Sequence, residues 1–224
     1  MNRNERQSLG VTLKEDWPLI VLIAATFLVG VVLYPHLPEQ VPGHWNVAGE
    51  VDRYVSRFWG AFLGPLVSLG IYLLMVFLPA LDPRWQNYEK FGSSYRVLRL
   101  AIPGVLIIIY LLTLAAAIGY QVKVGMLVQA FVSILFIMIG NVMGRIRPTF
   151  FVGIRTPWTL ADDEVWRKTH RLAGPLWVLA GFIGLVTALL PPPWNAIGLL
   201  APLFLAAILP AVYSYLLFRR KQRQ

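Results

Sequence analysis

The sequence contains no cysteine, only 11 acidic residues and little charge of either sign. Without cysteine, disulfide bonds, thiolate metal sites and thiol nucleophiles are excluded. Charged residues make up 14% of the 224 positions, whereas a soluble domain carries about a quarter. The Gly-x-Ser-x-Gly and His-Glu-x-x-His motifs of serine hydrolases and zinc proteases are also missing. These absences argue against a soluble protein, and we expect neither enzymatic activity nor a cofactor.

Long apolar runs take the place of the missing charge. Hydrophobic residues account for 57% of the chain, and six runs approach or exceed the roughly 20 residues that cross a bilayer. None of these runs contains Asp, Glu, Lys, Arg or His. The runs are Trp17–Tyr34, Phe58–Ala80, Leu100–Tyr120, Val124–Gly144, Leu172–Leu190 and Asn195–Phe218. They predict an all-α integral membrane protein, a six-helix transmembrane bundle, whose first run is retained rather than removed as a signal peptide.

The 20 basic residues are distributed unevenly between the predicted connections. All but Arg53, Arg57 and Lys123 fall in the N-terminal segment, in the connections after the second and fourth runs, or in the C-terminal tail. This bias marks the cytoplasmic side and predicts that both termini lie inside the cell. The net charge of +9 therefore reports topology, and direct nucleic-acid binding is not needed to explain it. We divide the chain into residues 1–80 and residues 81–224.

The outer loop, residues 35–57, follows the first run and is rich in Pro, Gly and aromatic residues. Its prolines stiffen the chain and its glycines permit turns. Three interpretations remain: a platform that binds a peptide, a zinc site built from His36, His44 and an acid, and a rigid cap that Trp45 anchors in the interface. Because spacing alone does not define a metal site, we predict none. The candidate ligand-binding residues are Pro42, His44, Trp45, Asn46, Gly49 and Asp52.

The motif loop, residues 145–171, follows the fourth run and has a charge pattern typical of helix formation. Thr159 is a good N-cap residue, and Asp162 at the third helical position resembles a capping box. The acids precede the bases, which complements the helix dipole, and two acid–base pairs have i,i+4 spacing. These pairs are Asp163–Arg167 and Glu164–Lys168. We therefore predict an amphipathic helix that runs from Leu160 into the fifth membrane helix.

Helix formation does not explain the segment "GIRTPW" inside the motif loop. Gly153 and Pro157 bracket Arg155 there and predict a rigid turn. His170 is not explained either, although a lone histidine is more often structural than catalytic. Asn141, near the end of the fourth run, is expected to hydrogen-bond the loop.

The two long loops also resemble each other. With one gap, Trp45, Arg53 and Gly60 align with Trp158, Arg167 and Gly174. Each stretch occupies the first long loop of a half that contains three runs. Because three is odd, the halves would be inverted across the membrane, as in many transport folds. The sequence thus suggests a 3+3 inverted repeat.

Several stretches together resemble the SdpI-like membrane immunity protein family. They are "GN" at 140–141, "RPTFFVGIRTPWTL" at 147–160 and "VWRKTHRLAG" at 165–174. In addition, "LPEQVPGHWNVAGEVDRY" at 37–54 is similar to a domain of unknown function found N-terminal to that signature. Thr149 departs from the family pattern, which favours Asn after Arg-Pro. The signature residues that the resemblance singles out are Asn141, Gly153, Arg155, Thr156, Pro157, Trp158, Thr159, Trp166, Thr169 and His170.

The resemblance implies a non-enzymatic protein of the bacterial cell membrane that protects against a secreted peptide toxin. The outer loop would contact the toxin, and the motif loop would brace the helices or present a basic surface. The same family can signal inward by holding a transcriptional repressor at the membrane.

Two other functions remain open from the residues themselves. One is a small transporter or a lipid or peptide permease built on the inverted repeat, although the runs lack the ionisable groups that mark ion pathways. The other is a membrane enzyme that pairs Asp163 or Glu164 with His170. The i,i+6 or i,i+7 spacing of such a pair on a surface helix gives it little support.

Overall fold

The computed structural model describes residues 13–46 and 48–223. The α-helices are α1 (Trp17–Leu33), α2 (Arg57–Leu81), α3 (Gly92–Ala117), α4 (Val124–Met143), α5 (Pro157–Ala161), α6 (Asp163–Thr187) and α7 (Trp194–Lys221). Short 3-10 helices occupy Tyr34–His36 and Trp85–Phe91. All the α-helices except the short α5 are long and apolar enough to cross a membrane, which confirms the six predicted spans.

The described residues divide between two compact units. The first unit contains the chain up to Phe77 together with Arg99–Val128. The second unit contains Leu78–Leu98 and the chain from Gln129 onward. The outer loop therefore belongs to the first unit and the motif loop to the second.

The core of the first unit forms where α1, α2 and α3 pack together. One cluster of buried residues comprises Leu19, Ile23, Tyr72 and Ile107. A second cluster comprises Leu37, Val41, Ala61, Tyr110 and Leu114. The Tyr110 hydroxyl donates to the Ala61 carbonyl at 2.7 Å, and a Cβ at Gly64 would collide with the Tyr110 ring. Glycine at position 64 therefore allows α2 and α3 to approach each other closely.

A buried ion pair joins the start of α1 to α3. Arg99 Nε donates to Asp16 Oδ2 at 2.6 Å, and the two side chains are 9% and 0% exposed. Because α3 begins at Gly92 rather than near Leu100, Arg96 and Arg99 lie inside this helix. The predicted run from Leu100 to Tyr120 contains no ionisable residue, but α3 begins eight residues before it. Its first turns extend beyond the apolar run, and Asp16 compensates the buried charge of Arg99.

The outer loop contains a β-hairpin, which was not predicted from the sequence. Strands β1 (Gln40–Trp45) and β2 (Val51–Ser56) pair antiparallel, with an irregular register around Gly43. Fully buried Val41 faces Gly60, where an added Cβ would lie 2.7 Å from the valine side chain. The hairpin is thus seated on the helices of its own unit. The predicted all-α class is corrected accordingly: the fold is mostly helical and includes a two-stranded sheet.

In the second unit, α4 and α6 approach each other at two glycines. A Cβ at Gly140 would lie 2.7 Å from the carbonyl oxygen of Gly174. One turn away, the backbone of Gly144 lies near the Cα of Arg171. The end of α4 and the start of α6 are therefore neighbours, and they hold the motif loop between them.

The aligned stretches of the suggested repeat have different secondary structures. Trp45 and Arg53 lie in strands, whereas Trp158 and Arg167 lie in helices. The local alignment therefore does not match equivalent elements. The inverted arrangement of the two halves stays a prediction.

Candidate functional site

One asparagine side chain organises the turn of the hairpin. Asn46 Oδ1 accepts hydrogen bonds from the backbone N–H groups of Ala48 at 2.9 Å and Glu50 at 3.0 Å. Its Nδ2 group donates to Glu50 Oε2 at 3.2 Å. Gly49 has a φ of 81°, in the region that favours glycine. Asn46 and Gly49 therefore build the turn, and the Asn46 amide is already occupied within the hairpin.

A histidine–aspartate pair lies exposed on the hairpin. His44 Nδ1 and Asp52 Oδ1 are 2.6 Å apart, and the two side chains are 61% and 44% exposed. Trp45 is half-buried beside them in β1. Tyr54, which pairs with half-buried Pro42, is 55% exposed and was not selected from the sequence. The hairpin therefore exposes both polar atoms and the aromatic ring of Tyr54, a combination that suits a peptide ligand.

The described residues, 13–46 and 48–223, contain no group of three or more His, Asp or Glu side chains placed to hold a metal ion. His44 is instead paired with Asp52. The hairpin geometry therefore gives no support to the zinc interpretation of the outer loop.

The motif loop is built around a stacked tryptophan and histidine. The rings of Trp166 and His170 lie 4.2 Å apart at 19°, and both side chains are buried. Trp166 Nε1 donates to the Ile146 carbonyl at 3.0 Å. The Ile154 N–H donates to His170 Nε2 at 2.8 Å, and His170 Nδ1 donates to the Trp166 carbonyl at 2.9 Å. Because Nε2 accepts a hydrogen bond, the ring is the neutral Nδ1–H tautomer and is not available as a catalytic base.

The turn at the start of the segment "GIRTPW" requires glycine at position 153. Its φ of 115° favours glycine. A Cβ at this position would lie 2.5 Å from His170 Nε2 and 2.8 Å from the Trp166 ring. Glycine is therefore required at this one position for two reasons: its backbone conformation and its close approach to the stacked rings.

The predicted N-cap residue was wrong. Thr156, not Thr159, is the N-cap residue, and Thr159 stands at the third position of a capping box. The short α5 ends at Ala161, and Asp162 caps α6 by accepting from the N–H groups of Glu164 and Val165. Two successive helices, each with its own N-cap residue, thus replace the single helix predicted from Leu160. Extended backbone at Asp162, with φ of −143°, separates the two helices.

A buried carboxylate outside the motif loop holds the segment "PTFF". Asp82 is 2% exposed and accepts from the N–H groups of Phe150 at 2.9 Å and Phe151 at 3.2 Å. The Tyr88 hydroxyl also donates to it at 3.0 Å. Next to this contact, Thr149 Oγ1 donates to the Val152 carbonyl at 2.7 Å. Asp82 was missed because it stands 68 residues before Phe150, and the only signal that could have found it is its position two residues after an apolar run.

Ion pairs close the motif loop against the end of α7. Lys221 Nζ lies 2.7 Å from both Asp162 and Glu164, and Lys168 also pairs with Glu164 at 2.8 Å. The predicted Glu164–Lys168 pair is confirmed. Asp163 was predicted to pair with Arg167, but its carboxylate lies 3.6 Å from Arg84. The hydrogen bond from Lys221, followed by the one from the Val165 N–H, lowers the pKa of the Asp162 carboxyl below its ordinary value.

The remaining signature residues divide between buried and exposed positions. Half-buried Trp158 packs edge-on against Tyr215 of α7 at 5.2 Å. Thr169 is fully buried. Arg155 is exposed and donates through Nη1 to the Phe150 carbonyl at 3.0 Å, and Pro157 opens α5. Asn141 is exposed, and among the described residues its side chain forms no hydrogen bond with the loop, so that expectation is not met.

Two regions therefore qualify as candidate sites, and their polar groups are used differently. In the motif loop, the hydroxyl, imidazole and indole groups at 154–170 are hydrogen-bonded mostly to the loop itself. In the hairpin, the His44–Asp52 pair remains open to solvent. The geometry suits the hairpin to ligand binding and the motif loop to bracing.

Comparison with known proteins matches both regions. Residues 145–214 match the SdpI/YfhL protein family, and residues 21–69 match a domain of unknown function, DUF1648. The chain is 28% identical over 211 residues to the immunity protein SdpI of Bacillus subtilis (strain 168), covering 93% of this chain and 98% of that protein. It is also 34% identical over 64 residues to the uncharacterized membrane protein YbgB of the same bacterium, covering 29% of this chain and 64% of YbgB.

No solved structure matches the chain significantly. The two family matches lie in the order expected from the sequence, and the six apolar helices with a membrane-protein relative identify a multi-pass membrane protein. The chain thus carries a region similar to the SdpI/YfhL family at residues 145–214 and a DUF1648 region in its N-terminal third.

Proposed function

We propose that this protein gives a bacterium immunity to a secreted peptide toxin that acts at the cell membrane. The observation that carries the proposal is the alignment with an immunity protein over 93% of this chain and 98% of that relative. The likeness is therefore not confined to one domain. Both the hairpin and the motif loop lie within the matched families.

The proposed toxin contacts are His44, Trp45 and Asp52, with Pro42 and Tyr54 on the neighbouring strand positions. The His44–Asp52 pair offers a charged acceptor on an exposed β-strand, where a peptide backbone or a cationic side chain can bind. Asn46 and Gly49 act indirectly, because their groups shape the turn. This assignment places the hairpin outside the cell and both termini inside, as the distribution of basic residues predicts.

The proposed role of the motif loop is to brace the second unit at its cytoplasmic end. Its hydrogen bonds join the ends of α4 and α6, and Thr156 reaches Ser214 of α7 at 3.1 Å. The inward signal to a repressor that the resemblance implies stays a prediction.

The test is survival of a toxin-sensitive bacterium that expresses the full chain, challenged with a panel of secreted antimicrobial peptides. We expect protection against at least one peptide. The double variant His44→Gln/Asp52→Asn should lose it at normal membrane abundance. The matched control is Gln40→Ala/Ser56→Ala, a cross-strand pair of exposed residues at the base of the same hairpin, which should protect normally.

A failure to protect against every peptide in the panel would contradict the proposal. Substrate uptake or export by the purified protein in proteoliposomes would then favour the transporter alternative. The Arg99 guanidinium in α3 is compensated by buried Asp16, which favours a structural role for the pair.

A further inference from the structure

Three exposed arginines surround the motif loop and are not used by its internal hydrogen bonds. Arg145, Arg147 and Arg171, which we call the arginine rim, are all exposed. The acids of the same loop are engaged elsewhere: Asp162 and Glu164 with Lys221, and Asp163 with Arg84. The rim therefore presents positive charge that the loop's own carboxylates do not neutralise.

The backbone brings the rim residues close together. Arg145 comes two residues after the end of α4, and Arg147 two residues later. A Cβ at Gly144 would lie 3.9 Å from the Cα of Arg171, so Arg145 and Arg171 start from adjacent backbone. Like charges at such positions repel each other unless an anion lies between them.

An exposed phenylalanine follows Arg147 by three residues and lies in a backbone held by hydrogen bonds. Phe150 is 50% exposed. Its N–H donates to buried Asp82 at 2.9 Å, and its carbonyl accepts from Arg155 Nη1 at 3.0 Å. Both backbone polar groups of Phe150 are thus hydrogen-bonded, so inserting its ring among lipid headgroups requires no further ordering of the backbone.

We propose that the arginine rim and Phe150 form a binding site for the headgroup of an anionic phospholipid. The guanidinium groups bind the phosphate, which arginine recognises in a bidentate manner. The Phe150 ring inserts at headgroup depth, where aromatic side chains are favoured. This site goes beyond the proposed immunity function and does not depend on toxin binding.

The position of the rim favours a lipid over a protein partner. Arg145 lies two residues after the end of membrane-spanning α4, and Arg171 directly precedes the apolar run that begins at Leu172 in α6. The headgroups of the same bilayer are therefore within reach of these side chains. Clusters of basic residues next to membrane helices bind anionic lipids with roughly 1 kcal/mol for each residue near the surface.

The test uses the full chain purified in a zwitterionic detergent. Phosphatidylglycerol and phosphatidylcholine with identical acyl chains are titrated while the midpoint of thermal unfolding is followed. The rim variant Arg145→Gln/Arg147→Gln/Arg171→Gln is compared with the tail variant Arg219→Gln/Arg220→Gln/Arg223→Gln, which removes the same charge from exposed positions at the end of α7. A third variant, Phe150→Ser, keeps all the charges.

We expect phosphatidylglycerol, but not phosphatidylcholine, to raise the midpoint of the wild type and of the tail variant. The rim variant should bind phosphatidylglycerol at least about tenfold more weakly, with an unchanged midpoint in the absence of lipid. Phe150→Ser should also weaken lipid binding.

Four results would overturn the proposal. Equal responses to the two lipids would remove the anionic preference and favour an acidic protein surface as the partner. Equal weakening in the rim and tail variants would show an effect of total charge. An equal response to inorganic phosphate at the same concentration would show a small-anion site. Unchanged lipid binding by Phe150→Ser would contradict the insertion of its ring.

Discussion

The hairpin and the motif loop have similar compositions but use their polar residues in opposite ways. Both contain tryptophan, histidine, acids and a glycine with positive φ. His44 is paired at the surface, whereas His170 is fully buried and hydrogen-bonded through both ring nitrogens. The difference teaches that a conspicuous motif can be mainly structural while a less conspicuous segment keeps its polar groups exposed to solvent.

The positive-φ glycines of the two regions, Gly153 and Gly49, provide the largest expected contrast. Gly153→Ala should destabilise the protein by roughly 3 kcal/mol or more, because backbone strain adds to the collision with His170 and Trp166. Gly49→Ala has only the strain, since its Cβ would meet open space, and should cost about 1 kcal/mol. Thermal unfolding midpoints in detergent compare the two. Similar losses at both positions would contradict the packing assigned to Gly153.

Two aspartates extend the comparison. Asp82→Asn should cost about 2–3 kcal/mol, because the new amide places donors against the N–H groups of Phe150 and Phe151. Asp52→Asn should cost less than about 1 kcal/mol, since surface ion pairs contribute little. Denaturation of each variant beside the wild type measures the difference. If Asp82→Asn were as stable as Asp52→Asn, the Asp82 carboxylate would not be holding the backbone of Phe150 and Phe151.

The capping box should have an intermediate effect. Thr156→Ala removes the side chain that accepts from the Thr159 N–H and contacts Ser214, and it should cost about 1 kcal/mol. Thr156→Ser keeps the hydroxyl and should remain close to the wild type. The unfolding midpoints of the two variants test the cap, and equal destabilisation would show that only the methyl group matters.

The smallest expected effect is at the ion pairs of Lys221, and it depends on pH. The bond with Lys221 lowers the folded pKa of Asp162, so its contribution to stability is present above the unfolded pKa of 3.8 and is lost as the pH falls through the folded value. Lys221→Gln should therefore destabilise the protein only slightly near neutral pH. The difference in the free energy of unfolding between variant and wild type should disappear under strongly acidic conditions. A difference of the same size at neutral and at strongly acidic pH would rule out the carboxylates as its cause.

The membrane helices and the family could be predicted from the sequence because their signals are long. An apolar run such as Val124–Gly144 defines a helix almost without context, and α4 (Val124–Met143) ends one residue from the predicted limit. The signature "GIRTPW" was identified as unusual, and Gly153 accounts for it through its φ and its contact with His170.

The details that could not be predicted depend on contacts between distant residues. The hairpin was missed because proline and glycine interrupt the alternation of β1, and Val41 is buried by residues outside the hairpin, such as Gly60 and Ala61 of α2. Asp82 was missed because its partners lie 68 residues away. The N-cap was assigned to Thr159 because Thr156 and Thr159 are both threonines, and only their hydrogen bonds show which one caps and which reciprocates.

The most direct test of the account is protection per molecule, measured as toxin survival divided by membrane abundance in the same cells. The hairpin variant His44→Gln/Asp52→Asn is compared with the motif-loop variant Thr156→Ala. We predict that the hairpin variant keeps its abundance and loses protection, while the motif-loop variant loses both in proportion, so that its protection per molecule is unchanged. A hairpin variant with normal protection, or a motif-loop variant that is abundant but does not protect, would contradict the assignment of binding to the first region and bracing to the second.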